Sequence, residues 1–229
     1  RETGLDKATI VRMLETLMHA GFVVRDEHHT AYEVTGKTLL LCSGYDRHRA
    51  VGRIVGPIIA AFRNRFGWPS DVAIFDHDAM VLIESSRDAG SILVNRLPGY
   101  RAPMLGTSLG LAYLAFASAE ERAEVLDRVT AMPAVWNEIA RDRAKAEDYL
   151  AGIRDQGYAT MHDEYSRTEY GRRISTIGVP ILVGGRSVAA MNVLYLKSAL
   201  PMAEAVATMV APLKACADEI AGALTAGPG

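Results

Sequence analysis

Residues 3–23, TGLDKATIVRMLETLMHAGFV, carry a dense set of start and stop signals. Thr3-Gly4 makes a turn, and Asp6 can cap a helix by accepting backbone N–H bonds from its first turn. Ile10, Leu14 and Leu17, with Met13 beside them, follow i, i+4, i+7 spacing and predict a buried helical stripe that Gly21 ends. Phe22 to Arg25 and Ala31 to Val34 flank the polar run Asp26 to Thr30, which predicts a short β-hairpin. A turn, a helix and a hairpin in this order form a winged helix-turn-helix, here incomplete at its start.

Such an element binds DNA because its second helix projects polar residues into the major groove while the hairpin wing lies beside the backbone. Lys7, Thr9, Val11 and Arg12 fall off the apolar stripe. Lys7 and Arg12 suit phosphates or guanine edges, and Thr9 suits a phosphate or a thymine methyl; Arg25, His28 and His29 would sit on the wing. A solvated helix face would carry the same residues, and residues 1–53 hold eight Lys/Arg against seven Asp/Glu, so charge alone does not choose. The hairpin directly after the helix favours a double-stranded DNA partner, since a merely solvated helix needs no wing.

With the strand AYEVT at 31–35, this segment resembles the second half of the DNA-binding domain of the IclR family of bacterial transcriptional regulators. In that family another helix precedes the motif, and a chain that opens on Arg1 is expected to lack an upstream segment.

Composition bounds the rest. The 229 residues are 49% hydrophobic and 23% charged, as expected of a soluble globular chain with apolar material for one or two cores. No apolar run approaches the roughly 18 residues of a membrane span, and RETGLDKA is not a secretion signal, so a cytoplasmic protein without a membrane partner is expected. Cys42 and Cys216 lie in apolar helical patterns and suggest buried free thiols rather than a disulfide framework or a zinc motif. A net charge of −2 gives no global pull toward nucleic acid. No cofactor or metal is expected.

From residue 36 to 66 an apolar helical pattern, broken near Ser43-Gly44 and again at Gly56-Pro57, predicts a jointed linker whose apolar residues need the next domain or a second copy to cover them. A dimer also fits a half-site reader. Residues 67–229 alternate strands and helices. DVAIFD and AMVLIESS form a hairpin around Asp76-His77-Asp78, where His77 and Asp78 read as turn residues, and SILVNRL gives a third strand. Helices follow from Gly106, over 120–130 and over 134–155; RISTIGVPILV and SVAAMNVLYL pair across Gly184-Gly185-Arg186, and a final helix runs from Pro201 to about Leu224. The class is α+β with a mainly antiparallel sheet. APMLGTSLGLAYLAF, IRDQGYAT and VPILVGGRSVAAMNVLYL resemble the GAF-like effector-binding domain of the same family, so the resemblance spans essentially the whole chain.

GTSLG at 106–110 is also a G-x-S-x-G match, the signature of a hydrolase nucleophile elbow at Ser108. The preceding GYRAPML leaves too little room for the buried strand an elbow needs, no HGGG-like loop precedes it, and His162 is the only histidine downstream. A serine hydrolase is therefore the remote alternative, and the chain is not expected to be an enzyme. Thr107 and Ser108 read better as the first residues of a helix, serving either as a plain cap or as a site where free N–H groups and the helix dipole attract an anion. HDEYSRTEYGRR at 162–173 places His162, Asp163 and Glu164 side by side, which suits a solvated loop better than a metal site; Arg167, Arg172 and Arg173 can pair with its acids or meet an effector carboxylate.

Carried over from the family, the effector contacts are Thr107, Ser108, Leu109, the neighbourhood Met161, His162, Asp163 and Glu164, then Pro180, Asn192 and Leu194. Family members that bind small keto acids tend to have a small pair at the first site, an acid near Met161 or His162, and serines at the last two. Leucine, methionine and leucine here imply a larger, more apolar ligand, such as an aromatic acid with its carboxylate at the helix start and a hydroxyl on His162 or Asn192. The ending from Met191 to Ala221 most resembles the branch that activates catabolism of phenylpropionate-like acids. The resemblance thus implies a one-component regulator that binds a promoter operator and a small organic acid as a dimer or tetramer, and contacts RNA polymerase if it is an activator. A DNA-binding scaffold whose second domain only oligomerises is the alternative.

Overall fold

Asp6 sets the first element: its carboxylate accepts the Thr9 N–H at 3.0 Å and the Thr9 hydroxyl at 2.6 Å, capping α1 (Lys7–His19), and these bonds hold its pKa below the ordinary value. The computed structural model describes residues 3–26, 31–43, 46–86 and 97–226, with backbone alone at 42–43 and 46–50. It divides into two compact units, residues 1–49 and 50–229.

In the first unit Gly21, at φ +75°, turns the chain out of α1 into β1 (Val23–Arg25), which pairs antiparallel with β2 (Tyr32–Val34). The Thr35 hydroxyl donates to the Gly21 carbonyl and Lys37 Nζ to the Ala20 carbonyl, each at 2.7 Å, tying strand and helix ends together. A 3-10 turn (Gly36–Thr38) leads into α2 (Leu39–Ser43). The expected stripe on α1 is not buried: Met13 is 54% and Leu17 41% exposed, because the short hairpin covers too little of the helix. His28 and His29 lie outside the described residues.

The expected break at Gly56-Pro57 is absent. α3 (Asp46–Phe66) runs through Pro57. Proline there forfeits one backbone hydrogen bond, and the burial of Val55, Ile59 and Phe62 against the sheet holds the helix together across the defect.

The second unit is built on a six-stranded sheet of order β5-β4-β3-β8-β7-β6 in which every pair is antiparallel. The strands are β3 (Ser70–Asp76), β4 (Ala79–Glu84), β5 (Arg101–Pro103), β6 (Ala159–Thr160), β7 (Ile174–Val183) and β8 (Arg186–Leu196). Period-2 alternation sorts the two faces. Ile177, Val179, Ile181, Met191, Val193 and Tyr195 pack under α3 and α8 (Met202–Ala226). Ala73, Met80, Leu82 and Ala190 pack under α4 (Ser108–Ala115), α5 (Ala119–Thr130) and α6 (Arg143–Gln156). Helices on both faces of an antiparallel sheet give the α+β, GAF-like class.

Several elements depart from the sequence reading. The helix expected over 134–155 is a 3-10 segment (Val135–Arg141) followed by α6, because the Asp142 side chain caps a new start by accepting the Lys145 N–H at 3.2 Å. GYRAPML does contain a strand, β5, but it is three residues at the sheet edge, where Pro103 is in register with Ala79 and no second strand asks it for an N–H. HDEYSRTEYGRR is not a loop: α7 (Asp163–Tyr170) occupies it, with Tyr165 and Ser166 buried and Gly171 at φ +57° ending it. The strand expected at SILVNRL, residues 91–97, lies outside the described residues except for Leu97.

Candidate functional site

The site grows from the start of α4. Thr107 is its N-cap: the hydroxyl accepts the Gly110 N–H at 3.1 Å and donates to the Pro103 carbonyl at 2.9 Å. Ser108 and Leu109 are therefore the first two helical residues, whose N–H groups the helix itself leaves without acceptors. All three side chains are buried. The helix sits close to the sheet, since a Cβ at Gly110 would overlap the Met104 backbone and one at Gly178 would lie 2.5 Å from the Ser108 carbonyl.

Several of the expected effector positions converge here. Ser108 Oγ lies 2.6 Å from Thr176 Oγ1 on β7, both hydroxyls being buried. Thr176 is in register with Leu194, and Gly178 with Asn192, so these four share the α4 face of the sheet. The Met161 N–H donates to the Thr176 carbonyl at 3.3 Å, and the His162 N–H to the Gly106 carbonyl at 3.1 Å, which fixes the 161–162 segment against both β7 and the loop before α4. Asn192 Oδ1 accepts the Asp71 N–H at 3.1 Å, which fixes its amide orientation.

Other expected side chains are committed elsewhere. His162 caps α7, its Nδ1 accepting the Glu164 N–H at 3.2 Å, so the neutral ring carries its proton on Nε2. Asp163 is exposed and pairs with Lys197 at 3.3 Å; Glu164 pairs with Arg167 at 2.6 Å and lies 3.7 Å from Arg172. The two acids thus diverge into separate ion pairs, away from one another and from any shared metal. Pro180, one further step along the same face of β7, lines a cavity of about 330 Å³ with Phe116, Arg154 and Lys214.

Sequence reasoning missed Thr176, Gly178 and Gly106. A Cβ at Gly106 would come within 3.0 Å of Tyr165 and 3.1 Å of Trp136, whose rings meet edge to face at 5.1 Å. Tyr165 in turn shares a 2.8 Å hydrogen bond with Tyr100. The small residues at 176 and 178, alternating with Ile177 and Val179, were the available signal.

G-T-S-L-G is thus a helix cap in which the serine hydroxyl bonds to a threonine, and four residues separate Ser108 from the short edge strand β5.

On the first unit, Lys7 and Arg12 are exposed on α1, Val11 is 36% exposed, and Arg25 is exposed on β1. Thr9 is half-buried with its hydroxyl committed to Asp6.

Residues 46–222 match the family described as bacterial transcriptional regulator IclR C-terminal, and residues 1–27 match the IclR helix-turn-helix domain. The HTH-type transcriptional regulator TsaQ1/TsaQ2 of Comamonas testosteroni is 30% identical over 127 residues, which cover 55% of this chain and 46% of that regulator. The match therefore spans about half of that relative's length. Among solved structures, an IclR family transcriptional regulator from Brucella abortus superposes with a TM-score of 0.71 at 23% identity, covering 97% of this chain and 82% of that one. An IclR homologue from Microbacterium hydrocarbonoxydans, in complex with 4-hydroxybenzoate, gives 0.68 at 22% identity over 97% and 88%. These distant structures share the fold. The two family matches take in the helix and first strand of the wing at one end and nearly all of the second unit at the other, and the chain belongs to the IclR family of bacterial transcriptional regulators.

Proposed function

We propose that this transcriptional regulator is a one-component sensor in which a small aromatic acid, bound at the start of α4, changes the affinity of the N-terminal unit for a promoter operator. The observation that carries the reading is the buried helix start. Ser108 and Leu109 open α4 with two N–H groups that have no helical acceptor, and the Ser108 hydroxyl bonds to Thr176 on the sheet face that also holds Asn192 and Leu194. Free N–H groups and the helix dipole favour a carboxylate, while Met161 and Leu194 supply apolar wall and Asn192 a polar end. The 4-hydroxybenzoate complex of a family member supports an acid of this kind. The protein is read as cytoplasmic and without enzymatic activity. No described helix is long and apolar enough to cross a membrane.

On the DNA side, Lys7, Thr9, Val11 and Arg12 of α1 and Arg25, His28 and His29 of the wing are the operator-facing set. Leu39, Leu40 and Leu41 are each at least 63% exposed and offer an apolar surface to a second copy, in keeping with a dimer or tetramer on a two-fold operator. An activator would in addition contact RNA polymerase.

A thermal-unfolding screen tests the sensor reading, with 4-hydroxybenzoate, hydroxylated phenylpropionates, cinnamates and short keto acids as ligands. An acid at a hundred times its Kd stabilises the native state by about 2.7 kcal/mol, a midpoint rise of about 5–10 °C for a domain of this size. Such a rise for an aromatic acid, reduced in Ser108→Ala, is expected. No rise for any compound overturns the sensor reading, and a rise for keto acids alone overturns the aromatic assignment.

A further inference from the structure

A second cavity lies on the α4 side of the sheet, at the tip of the β3–β4 hairpin. It encloses about 240 Å³ between Ala79, Pro103 and Met104 on one side and Val129, Met132 and Trp136 on the other. None of the ten positions carried over for the effector lines it. Its size falls just below the usual range for a ligand pocket and suits a fragment with a single ring. The apolar wall is two prolines, two methionines, two alanines, a valine and an indole, which favours a flat apolar body.

Two polar features narrow the chemistry. Asn137, also in the lining, is 5% exposed, and its Oδ1 has no hydrogen-bond partner among the described residues, while its Nδ2 donates to the Met132 carbonyl at 3.3 Å. A buried amide oxygen left without a donor is costly, so an Asn137 side chain that turns its Oδ1 toward the cavity gains a partner from a ligand hydroxyl or amine. At the rim, Arg101 is already held by both Asp76 and Asp78. Two carboxylates on one guanidinium leave a net negative charge there, which disfavours an anionic ligand.

We propose that this cavity is a second small-molecule site, taking a neutral single-ring aromatic with a hydrogen-bond donor, a phenol or an arylamine, with the donor on Asn137 Oδ1. The ligand differs in charge from an acid at α4, so the two sites select different molecules. An occupant packed on Pro103 and Met104 also touches the segment whose carbonyl, on Pro103, accepts the Thr107 hydroxyl at the start of α4.

Phenol and toluene are titrated into the whole chain in a Trp68→Phe background, so that Trp136 is the only indole, with binding read by its fluorescence. Phenol is expected to give a saturable change and toluene, lacking the donor, at least a tenfold weaker one. Asn137→Leu removes the acceptor and Ala134→Phe fills the cavity; each is expected to weaken phenol at least tenfold. Near-UV circular dichroism identifies a variant that has lost its packing, and the other then carries the comparison. Absence of phenol binding, equal binding by the folded variants and the parent, or equal binding of toluene overturns the proposal.

Discussion

Ser108 and Thr176, 68 residues apart in sequence, share a 2.6 Å hydrogen bond between buried hydroxyls that ties the first turn of α4 to the first part of β7. Each hydroxyl lies where water is excluded, so removing one strands the other. Ser108→Ala and Thr176→Val are each expected to cost about 1–3 kcal/mol, and the double variant less than their sum by about 0.5–1.5 kcal/mol. Denaturant unfolding of the four proteins measures the cycle, and strict additivity would show that the bond contributes nothing.

The close seating of α4 predicts opposite outcomes at two glycines. Gly110→Ala drives a methyl into the Met104 backbone and is expected to cost at least about 2–3 kcal/mol. Gly152 is exposed in the middle of α6 with nothing within 4 Å of a Cβ, so Gly152→Ala is expected to stabilise by about 0.5–1 kcal/mol. Unfolding midpoints of the two variants check the pair; a neutral Gly110→Ala would contradict the seating described.

The two glycines also mark what the sequence made legible. The β7–β8 hairpin could be read because Gly184 and Gly185, at φ +58° and +76°, stand between two alternating apolar runs, as a two-residue hairpin turn demands. The start of α4 was readable from Thr107 followed by an apolar run. Helix α7 was not: its cap is a histidine, and its acidic first turn has the composition of a solvated loop, although Tyr165 and Ser166 are buried. Asp163 and Glu164 stand together by adjacency, yet successive residues on a helix point some 100° apart, and the two acids find different partners. Thr176 and Gly178 escaped notice because alternation says that they share a face without saying which helix lies on it. The apolar stripe of α1 was correctly spaced, but spacing does not say whether a cover is at hand.

Burial pushes the Cys216 thiol up to about 11, with a smaller contribution from Glu219. The folded pKa then exceeds the unfolded value, so the protonated thiol contributes fully below the unfolded pKa. Stability from this group is lost as pH rises from about 9 toward 11, where the unfolded chain sheds the proton and the native state keeps it. Comparison with Cys216→Ala isolates the effect: the stability difference between the two proteins is expected to shrink by about 2 kcal/mol across that window. A difference independent of pH would show that the thiol titrates normally in the fold.

If α1 lies in the major groove, Lys7 and Arg12 act through phosphates or guanine edges. Lys7→Ala and Arg12→Ala are each expected to weaken binding to duplex DNA. Where the side chain meets a phosphate, its removal also lowers the slope of log affinity against log salt by about one. Titrations at several salt concentrations read both quantities. Unchanged affinity and slope in both variants would remove α1 from the interface.

Linkage between the effector site and DNA binding is tested most directly by the affinity of the protein for a duplex selected from a random library, with and without a saturating aromatic acid identified by the unfolding screen. Effector coupling of about 1–3 kcal/mol corresponds to a change of about 5- to 150-fold. A change of at least about fivefold, diminished in Ser108→Ala at the same acid concentration, is the predicted result. An identical DNA affinity with the acid bound would contradict the account, since a ligand that binds both states equally regulates nothing.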